Sequence, residues 1–477
     1  MKIQSLFFFL LFSFLGTSLQ AQIEGDDLFG QDQVVSVDLQ FPSSNFWTTL
    51  VNNYDADENE YIMATLTLTD TYGVHVFDSI AVRLKGNSSY SHPGNKKSFK
   101  IDFNKFVVGQ NYDGLKKLNF SNGFKDPSVI REKVFFDVCR AADIPAPRAS
   151  FAEVTMNGQA WGFYTVIEQI DDQFLDWRIG DDDGNLFKAG DNFGGGPGGG
   201  GGGNEADLLD YGSDYAPYEA RYELKTNEDL NNWSDLIDFI DFINNSTDEE
   251  FSTELDFVLE VDEYLRSVAL DMLFSNLDSY TGSARNYYMY HNLTTNRWEW
   301  IKWDGNEAFG SYTNGAGNML TLDIDYHNIN RPLLERVFAD EVLYERYLQE
   351  VCSLTEQFFN PTYMDNRIDE IKALVQAAVY ADDAKMYSNA QFETNIESDL
   401  TIGGGPGGGT VYGLKPFVSS RSSYVSSQID CSIINSIDEI DALEFNLVPN
   451  PASDYLTLSW KWSSNGQQAP SYQVNDS

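Results

Sequence analysis

The sequence predicts an α+β protein of two lobes, a β-rich N-terminal lobe followed by a helix-rich C-terminal lobe. Three observations lead there. Between residues 35 and 168, short runs alternate apolar with polar residues and are broken by turn residues, as half-buried strands do. From residue 230 onward apolar residues instead recur every three to four positions, the signature of amphipathic helices. One strand pair at 287–303 interrupts that helical half. Strands first and helices later read as α+β, and a cleft between the lobes is the expected ligand site.

The chain opens as a secretory signal peptide: Lys2, a twelve-residue apolar run at 5–16, and a plausible cleavage point after Ala21. Residues 22–34 are acidic and aperiodic, and read as a mobile leader. Strands are expected at 35–41, 62–70, 77–84, 96–103 and 115–120, with a short helix at 45–53. A helix at 129–142 follows the polar Asp126-Pro127-Ser128 and stops at Ile144-Pro145-Ala146-Pro147. The pair 149–156 and 161–168 flanks Asn157-Gly158, a strong hairpin signal. A short helix at 174–177 and a strand at 185–188 come next. Residues 193–203 are nearly all glycine and lack a GK[ST] ending, so they read as a flexible insertion, as does 403–409. Helices are then expected at 233–244, 248–259, 261–273, 331–339, 341–359, 361–378 and 416–429, with strands at 287–291 and 298–303.

Composition narrows the function. A chain of 477 residues with 73 acidic and 31 basic side chains carries a formal charge of −42. Such a field opposes nucleic acid and anionic membranes. After the signal peptide no run reaches the length of a membrane span. Cys139, Cys352 and Cys431 lack zinc spacing; one disulfide is possible, and Cys139 reads as core packing. The four histidines do not cluster, which leaves little support for a histidine metal site or a Ser-His triad.

Three constellations could carry chemistry. Arg83, Lys85, Lys96, Lys97 and Lys100 crowd two neighbouring strands and the glycine-containing loop between them. In so acidic a chain they form a local anion site whose backbone N–H groups could cover phosphates. Glu132, in the next helix, could brace a strand lysine, or could simply face solvent. Asp278 leaves an apolar helix, Asn286 follows eight residues later, and a strand pair leads to Trp303-Asp304 and Phe309-Gly310. This order suits phosphoryl transfer: one carboxylate holds the nucleophile, while the amide and the second carboxylate hold magnesium on a nucleotide. The alternatives are ordinary turn residues or a glycosidase carboxylate pair, although no βα repeat supports a barrel glycosidase.

These residues, in this order, resemble the CotH kinase family. The resemblance runs through RLKGNSS, KKSFKIDF, the long block at 126–175, GNLFK, YELK, the segment ending WDGNEAFG and GLKPFVSSRSSYVSSQI, and spans roughly residues 35–430. It implies a highly divergent protein kinase using ATP and a divalent metal, Mg²⁺ or Mn²⁺. Lys97, with Lys100 as second candidate, would be the phosphate-binding strand lysine, and Glu132 its brace. Arg83 and Lys100 would join the nucleotide site, and Glu168-Gln169-Ile170 would lie near the adenine. Asp278 would orient the acceptor hydroxyl; Asn286 and Asp304 would hold the metal. The family commonly has an acidic residue two positions after the metal aspartate, where this chain has Asn306, an uncharged oxygen donor. The resemblance therefore implies a secreted or surface Ser/Thr kinase acting on a protein substrate. A catalytically weak pseudokinase or structural surface protein is the alternative. The segment 445–458, with its turn PNPASD, resembles the start of a type A sorting domain of the type IX secretion system. It implies export through the periplasm and contact with the secretion machinery. The expected organisation is signal peptide 1–21, leader 22–34, kinase-like domain 35–435 and a partial sorting domain at 440–477.

Overall fold

The structure is a computed structural model. It describes residues 23–56, 60–190, 205–402 and 409–434, together with the backbone of 444–448, 455–461 and 471–475. The expected signal peptide, the glycine run 193–203, residues 403–408 and the PNPASD turn lie outside the described residues.

The β-rich part closes into a seven-stranded barrel: β1 (Val34–Gln40), β2 (Ile62–Thr69), β3 (Val74–Leu84), β4 (Phe99–Asp102), β5 (Lys117–Ser121), β6 (Ala149–Met156) and β7 (Gln159–Glu168). The order around it is β1-β2-β3-β4-β5-β7-β6. All pairs are antiparallel except β1 with β6, where Val37 lies opposite Val154 and the parallel register closes the ring. Alternation decides which side chains fill it, because successive residues of a strand face opposite ways. Leu66, Val82, Leu84, Phe99, Ile101, Leu118, Phe120 and Val166 are buried in one core, with the Phe99 and Phe120 rings stacked 4.4 Å apart. Each such side chain contributes about 1.5–3 kcal/mol by leaving water. Their neighbours Arg83, Lys85, Lys100 and Asn119 therefore point outward.

The expected leader is a correction. Residues 23–33 are packed on the barrel: Leu28 and Phe29 are buried in its core cluster. The guanidinium of Arg148 donates to the Glu24 carbonyl at 2.6 Å and to Asp26 at 3.2 Å. The segment is too short to show a period, so its two apolar anchors give no pattern.

The helix Arg131–Ala141 crosses between β5 and β6. Asp126 sets its start, accepting from the backbone N–H of Ser128 at 2.9 Å and of Arg131 at 3.0 Å. Val134, Phe135, Val138 and Cys139 are buried along it. The outward-facing Phe151, Phe163 and Ile167 of β6 and β7 join the same core cluster, which fixes the helix against the barrel.

A second sheet has the order β11-β10-β8-β9, built from β8 (Leu186–Ala189), β9 (Tyr222–Leu224), β10 (Tyr287–Asn292) and β11 (Arg297–Lys302). Val261–Leu273 and Asp248–Val258 pack on β11, and Ser234–Asn245, Pro332–Ala339, Glu341–Gln357, Pro361–Ala381, Asn389–Glu397 and Leu414–Gln428 complete the helical part, with Pro361–Ala381 also touching β1 and β7 of the barrel. The helix Asn389–Glu397 was not among the expected elements, yet its signal is present: Ser388 and Gln391 form a reciprocal capping box. Lys96 and Asp382 make a buried 2.5 Å ion pair that ties the barrel to the end of Pro361–Ala381. Cys352 and Cys431 form a disulfide, and Cys139 is buried. Three strands, Glu444–Val448, Tyr455–Lys461 and Ser471–Asn475, pair antiparallel in a separate sheet. Among the described residues no helix is long and apolar enough to cross a membrane.

Candidate functional site

A cleft of about 810 Å³ lies between the outer face of β3–β4–β5–β7 and the segments 278–288 and 303–312. The barrel register builds its floor. Arg83 lies opposite Lys100, Lys100 opposite Asn119, and Asn119 opposite Ile167. One cross-strand row thus presents two cations and an amide on the face that the barrel core does not use. Lys85 follows β3 and donates to Asn119 Oδ1 at 3.0 Å, with its ammonium 5.2 Å from the Trp303 ring. Lys188 of β8 reaches the same space.

The cations crowd one another. Burial first, then Lys117, Lys85 and Arg83, hold the Lys100 pKa down to about 6. Its ammonium donates to Gln169 Oε1 at 2.7 Å. Such crowding is unfavourable until an anion enters, so the floor is shaped for a polyanion.

Three elements meet at the edge of that floor. Glu132 stands in the first turn of Arg131–Ala141 and is buried. Asp304 follows β11 in a left-handed conformation, φ 52°. Lys85 is the third member. Burial, with Asp304 next, pushes the Glu132 carboxyl up to about 8, and Lys85 opposes the shift. Burial likewise brings Lys85 down to about 8 against the pull of Asp304 and Glu132. Burial disfavours both charges, and each stabilises the other. The turn holding Asp304 is pressed on the helix: a Cβ on Gly305 would stand 2.3 Å from Phe135 Cδ1.

Another part of the cleft is built around Asp278. Ser283 Oγ donates to Asp278 Oδ1 at 2.8 Å, and Asn286 Nδ2 donates to Asp278 Oδ2 at 3.0 Å and to its carbonyl at 2.9 Å. With the amide nitrogen committed to Asp278, the amide oxygen of Asn286 is the atom able to ligate a cation. Ser275, Ala284, Asn286, Asp304 and Phe309 all have positive φ, a concentration of strained backbone typical of functional sites. Beyond Asp278, Glu307 Oε1 accepts from Lys125 Nζ at 2.6 Å, while Glu307 Oε2 is buried with no hydrogen-bond partner. Burial opposes the Lys125 charge, but Glu307 and then Asp278 outweigh it and raise its pKa.

Of the residues singled out in the sequence, Arg83, Lys100, Glu132, Gln169, Asp278, Asn286, Asp304 and Asn306 line this one cleft. Two do not. Lys97 precedes β4, and its ammonium donates to the backbone carbonyls of Tyr90 and His92 and sits 4.8 Å from the Tyr90 ring. Lys85, not Lys97, is the lysine facing Glu132. Glu168 is buried away from the cleft, accepting from Arg148 at 2.5 Å and from Trp177 Nε1 at 2.9 Å. Its side chain orients the end of β7, and the next residue, Gln169, reaches the cleft. Sequence reasoning placed Lys85 in the basic group without giving it this part, although it continues the outward phase of Arg83. Lys125, Lys188 and Arg285 were missed: Lys125 and Arg285 lie in loops with no periodic signal, and the strand carrying Lys188 is only four residues long.

The donors fit a hard divalent cation. Asp278, Asn286, Asp304 and Asn306 offer oxygen atoms only, and Glu307 adds an unsatisfied buried one. Among the described residues no three histidine, cysteine or carboxylate groups converge into a metal cage. Magnesium does not need one, being held ordinarily by one or two carboxylates plus substrate phosphates and water.

Fold and cleft together describe a mixed α/β protein whose cleft sets clustered basic side chains beside oxygen donors. The chain belongs to the family described as CotH kinase protein, whose pattern matches residues 82–401. It is similar to the inner spore coat protein H of Bacillus subtilis (strain 168), with 27% identity over 300 residues, 62% of this chain and 77% of that one. It is also similar to invasin CotH3 of Rhizopus delemar, with 20% identity over 432 residues, 86% of this chain and 68% of that one. Among solved structures, the HipA–HipB toxin–antitoxin complex with operator DNA of Shewanella oneidensis MR-1 matches at a TM-score of 0.29 and 9% identity, covering 68% of this chain and 61% of that one. The Helicobacter pylori proinflammatory kinase CtkA matches at 0.22 and 8%, covering 66% and 92%.

Proposed function

We propose that this chain is an atypical protein kinase that transfers the γ-phosphate of ATP to a Ser or Thr hydroxyl of a secreted or surface protein. One observation carries the reading. Lys85 from the barrel, Glu132 from the crossing helix and Asp304 from the turn after β11 interact within a single cleft. The barrel and the helical part would serve as the two lobes around it.

The residues divide the work. Lys85, braced by Glu132, binds the α- and β-phosphates, with Arg83 and Lys100 neutralising the rest of the chain of phosphates. Gln169 would lie near the adenine base. Asp304, Asn286 and Asn306 would hold Mg²⁺ or Mn²⁺, which when bound neutralises phosphate charge and orients the phosphoryl group. Asp278, fixed by Ser283 and Asn286, orients the acceptor hydroxyl. The hydroxyl oxygen forms a bond to Pγ as the bond from Pγ to the ADP oxygen breaks, and the hydroxyl proton passes to Asp278. The products are ADP and a phosphoprotein.

Export belongs to the same proposal. The N-terminal apolar run and the 445–458 segment support a secreted or surface protein delivered through a C-terminal sorting domain. The neutral side chain of Asn306 supports a second reading, a pseudokinase that binds nucleotide without transferring phosphate. One assay separates them: purified mature protein incubated with γ-labelled ATP and Mg²⁺ or Mn²⁺, with nucleotide binding followed by calorimetry. The kinase reading expects label on protein Ser or Thr, lost in Asp278→Asn while binding persists. Binding without any transfer selects the pseudokinase; neither binding nor transfer removes both.

A further inference from the structure

Lys125 lines the same cleft as Asp278 and lies outside the cross-strand row of cations on the barrel floor. It enters from the loop between β5 and the crossing helix, and that loop is held in an unusual shape. Gly123, Lys125 and Val129 have φ of 71°, 60° and 55°. Glycine adopts such angles readily, whereas a β-branched valine there is a genuine outlier. Asp126 locks the loop from within: its Oδ1 accepts from Ser128 N at 2.9 Å, Ser128 Oγ at 2.6 Å and Arg131 Nε at 3.1 Å. The result is a lysine carried on a rigid, strained loop rather than on a mobile one.

The ammonium is aimed by Glu307. The 2.6 Å ion pair joins it to a carboxylate that is only 5% exposed, next to Asn306. Electrostatically its next neighbours are Asp278 and Tyr312. A cation thus lines the same cleft as Asp278 and feels its charge, separate from the cross-strand row of Arg83 and Lys100. In phosphoryl transfer the charge spreads over the equatorial oxygens of the moving group. Preorganised cations aimed at that place act on the transition state itself.

We propose that Lys125 contacts the γ-phosphate during transfer and that Glu307 is the positioning residue that presents it. This rests on the kinase reading of the cleft. Lys85 and the floor cations then serve the phosphates that stay with ADP, and Lys125 serves the one that leaves.

The test compares affinities of the full chain for ADP and for a non-hydrolysable ATP analogue, each with Mg²⁺, in wild type, Lys125→Met, Lys125→Arg and Glu307→Gln. Methionine keeps the length of the side chain and removes its charge, and thermal melting checks that each variant is folded. Loss of one charge-assisted contact predicts that Lys125→Met weakens the analogue by about tenfold or more and leaves ADP within about twofold. Lys125→Arg retains most of the preference for the analogue, and Glu307→Gln loses part of it. The rate of transfer at saturating ATP falls with the same ranking. If Lys125→Met weakens ADP and the analogue equally, or leaves the preference intact, Lys125 is only a structural tie and the inference fails while the kinase reading stands. If wild type binds neither nucleotide, the kinase reading and this inference fall together.

Discussion

Lys85 and Lys97 are twelve residues apart in sequence and have entirely different surroundings. Lys85 extends the outward-facing phase of β3 and meets Glu132 and Asp304. Lys97 instead donates to two carbonyls of a local turn, those of Tyr90 and His92. Lys85→Met is therefore expected to weaken nucleotide binding by at least about tenfold, and Lys97→Met to leave it within about twofold, as read by calorimetry. Lys100 gives a pH-dependent prediction. Its pKa is held at about 6, below the 10.5 of an ordinary lysine. The stability it contributes is thus full only above the ordinary value and is lost as pH falls through about 6. A polyphosphate removes the repulsion and restores the ammonium. Nucleotide binding at pH 7–8 should take up about one proton, measured from calorimetry in buffers of different ionisation enthalpy. Lys100→Met should abolish the uptake; unchanged uptake would place the titrating group elsewhere. At this scale the sequence was legible in grouping Asp278, Asn286 and Asp304, which the fold brings to one cleft. It was not legible for Lys97 and Glu168, whose partners are set by where β4 starts and β7 ends.

The turn after β11 is the element on which the site depends. It leaves the sheet at Trp303, reverses through Asp304 in a left-handed conformation and passes Gly305 against Phe135 of the crossing helix. That contact sets Asp304 beside Glu132. Gly305→Ala would force a Cβ into the Phe135 ring and is expected to cost about 1–3 kcal/mol, read from denaturant melts. Metal–nucleotide affinity should fall with it. Adding Phe135→Leu should recover part of both, and strictly additive losses would show that the contact does not position the turn. Element types were largely readable, since Val261–Leu273, the hairpin around Asn157-Gly158 and the crossing helix show clean periodicity or strong turn residues. The three-residue β9 and the packed segment 23–33 were not, because neither is long enough to show a period.

At the scale of the molecule, the sequence indicated β before α but not the closure of the barrel. Closure depends on the parallel pairing of β1 with β6, across more than a hundred residues, and strand pairing at that distance leaves no trace in local pattern. The same holds for Cys352–Cys431, 79 residues apart, joining Glu341–Gln357 to Cys431–Ile434. Its reduction should cost about 2–4 kcal/mol of global stability, measured as a shift in denaturant midpoint, with little change in nucleotide affinity because the bond lies outside the cleft. The net charge of −42 also acts on the whole molecule. It makes the basic floor of the cleft the exception in an acidic protein, and so the place where a polyanion is expected to bind.

The most direct measurement of the central claim is transfer of labelled γ-phosphate to protein Ser or Thr by the purified chain with Mg²⁺ or Mn²⁺, in parallel with Lys85→Met and Asp304→Ala. The account predicts label on wild type, located on hydroxyl side chains by mass spectrometry, and none on either variant. Absence of transfer by wild type under both metals, together with no detectable nucleotide binding, would contradict it.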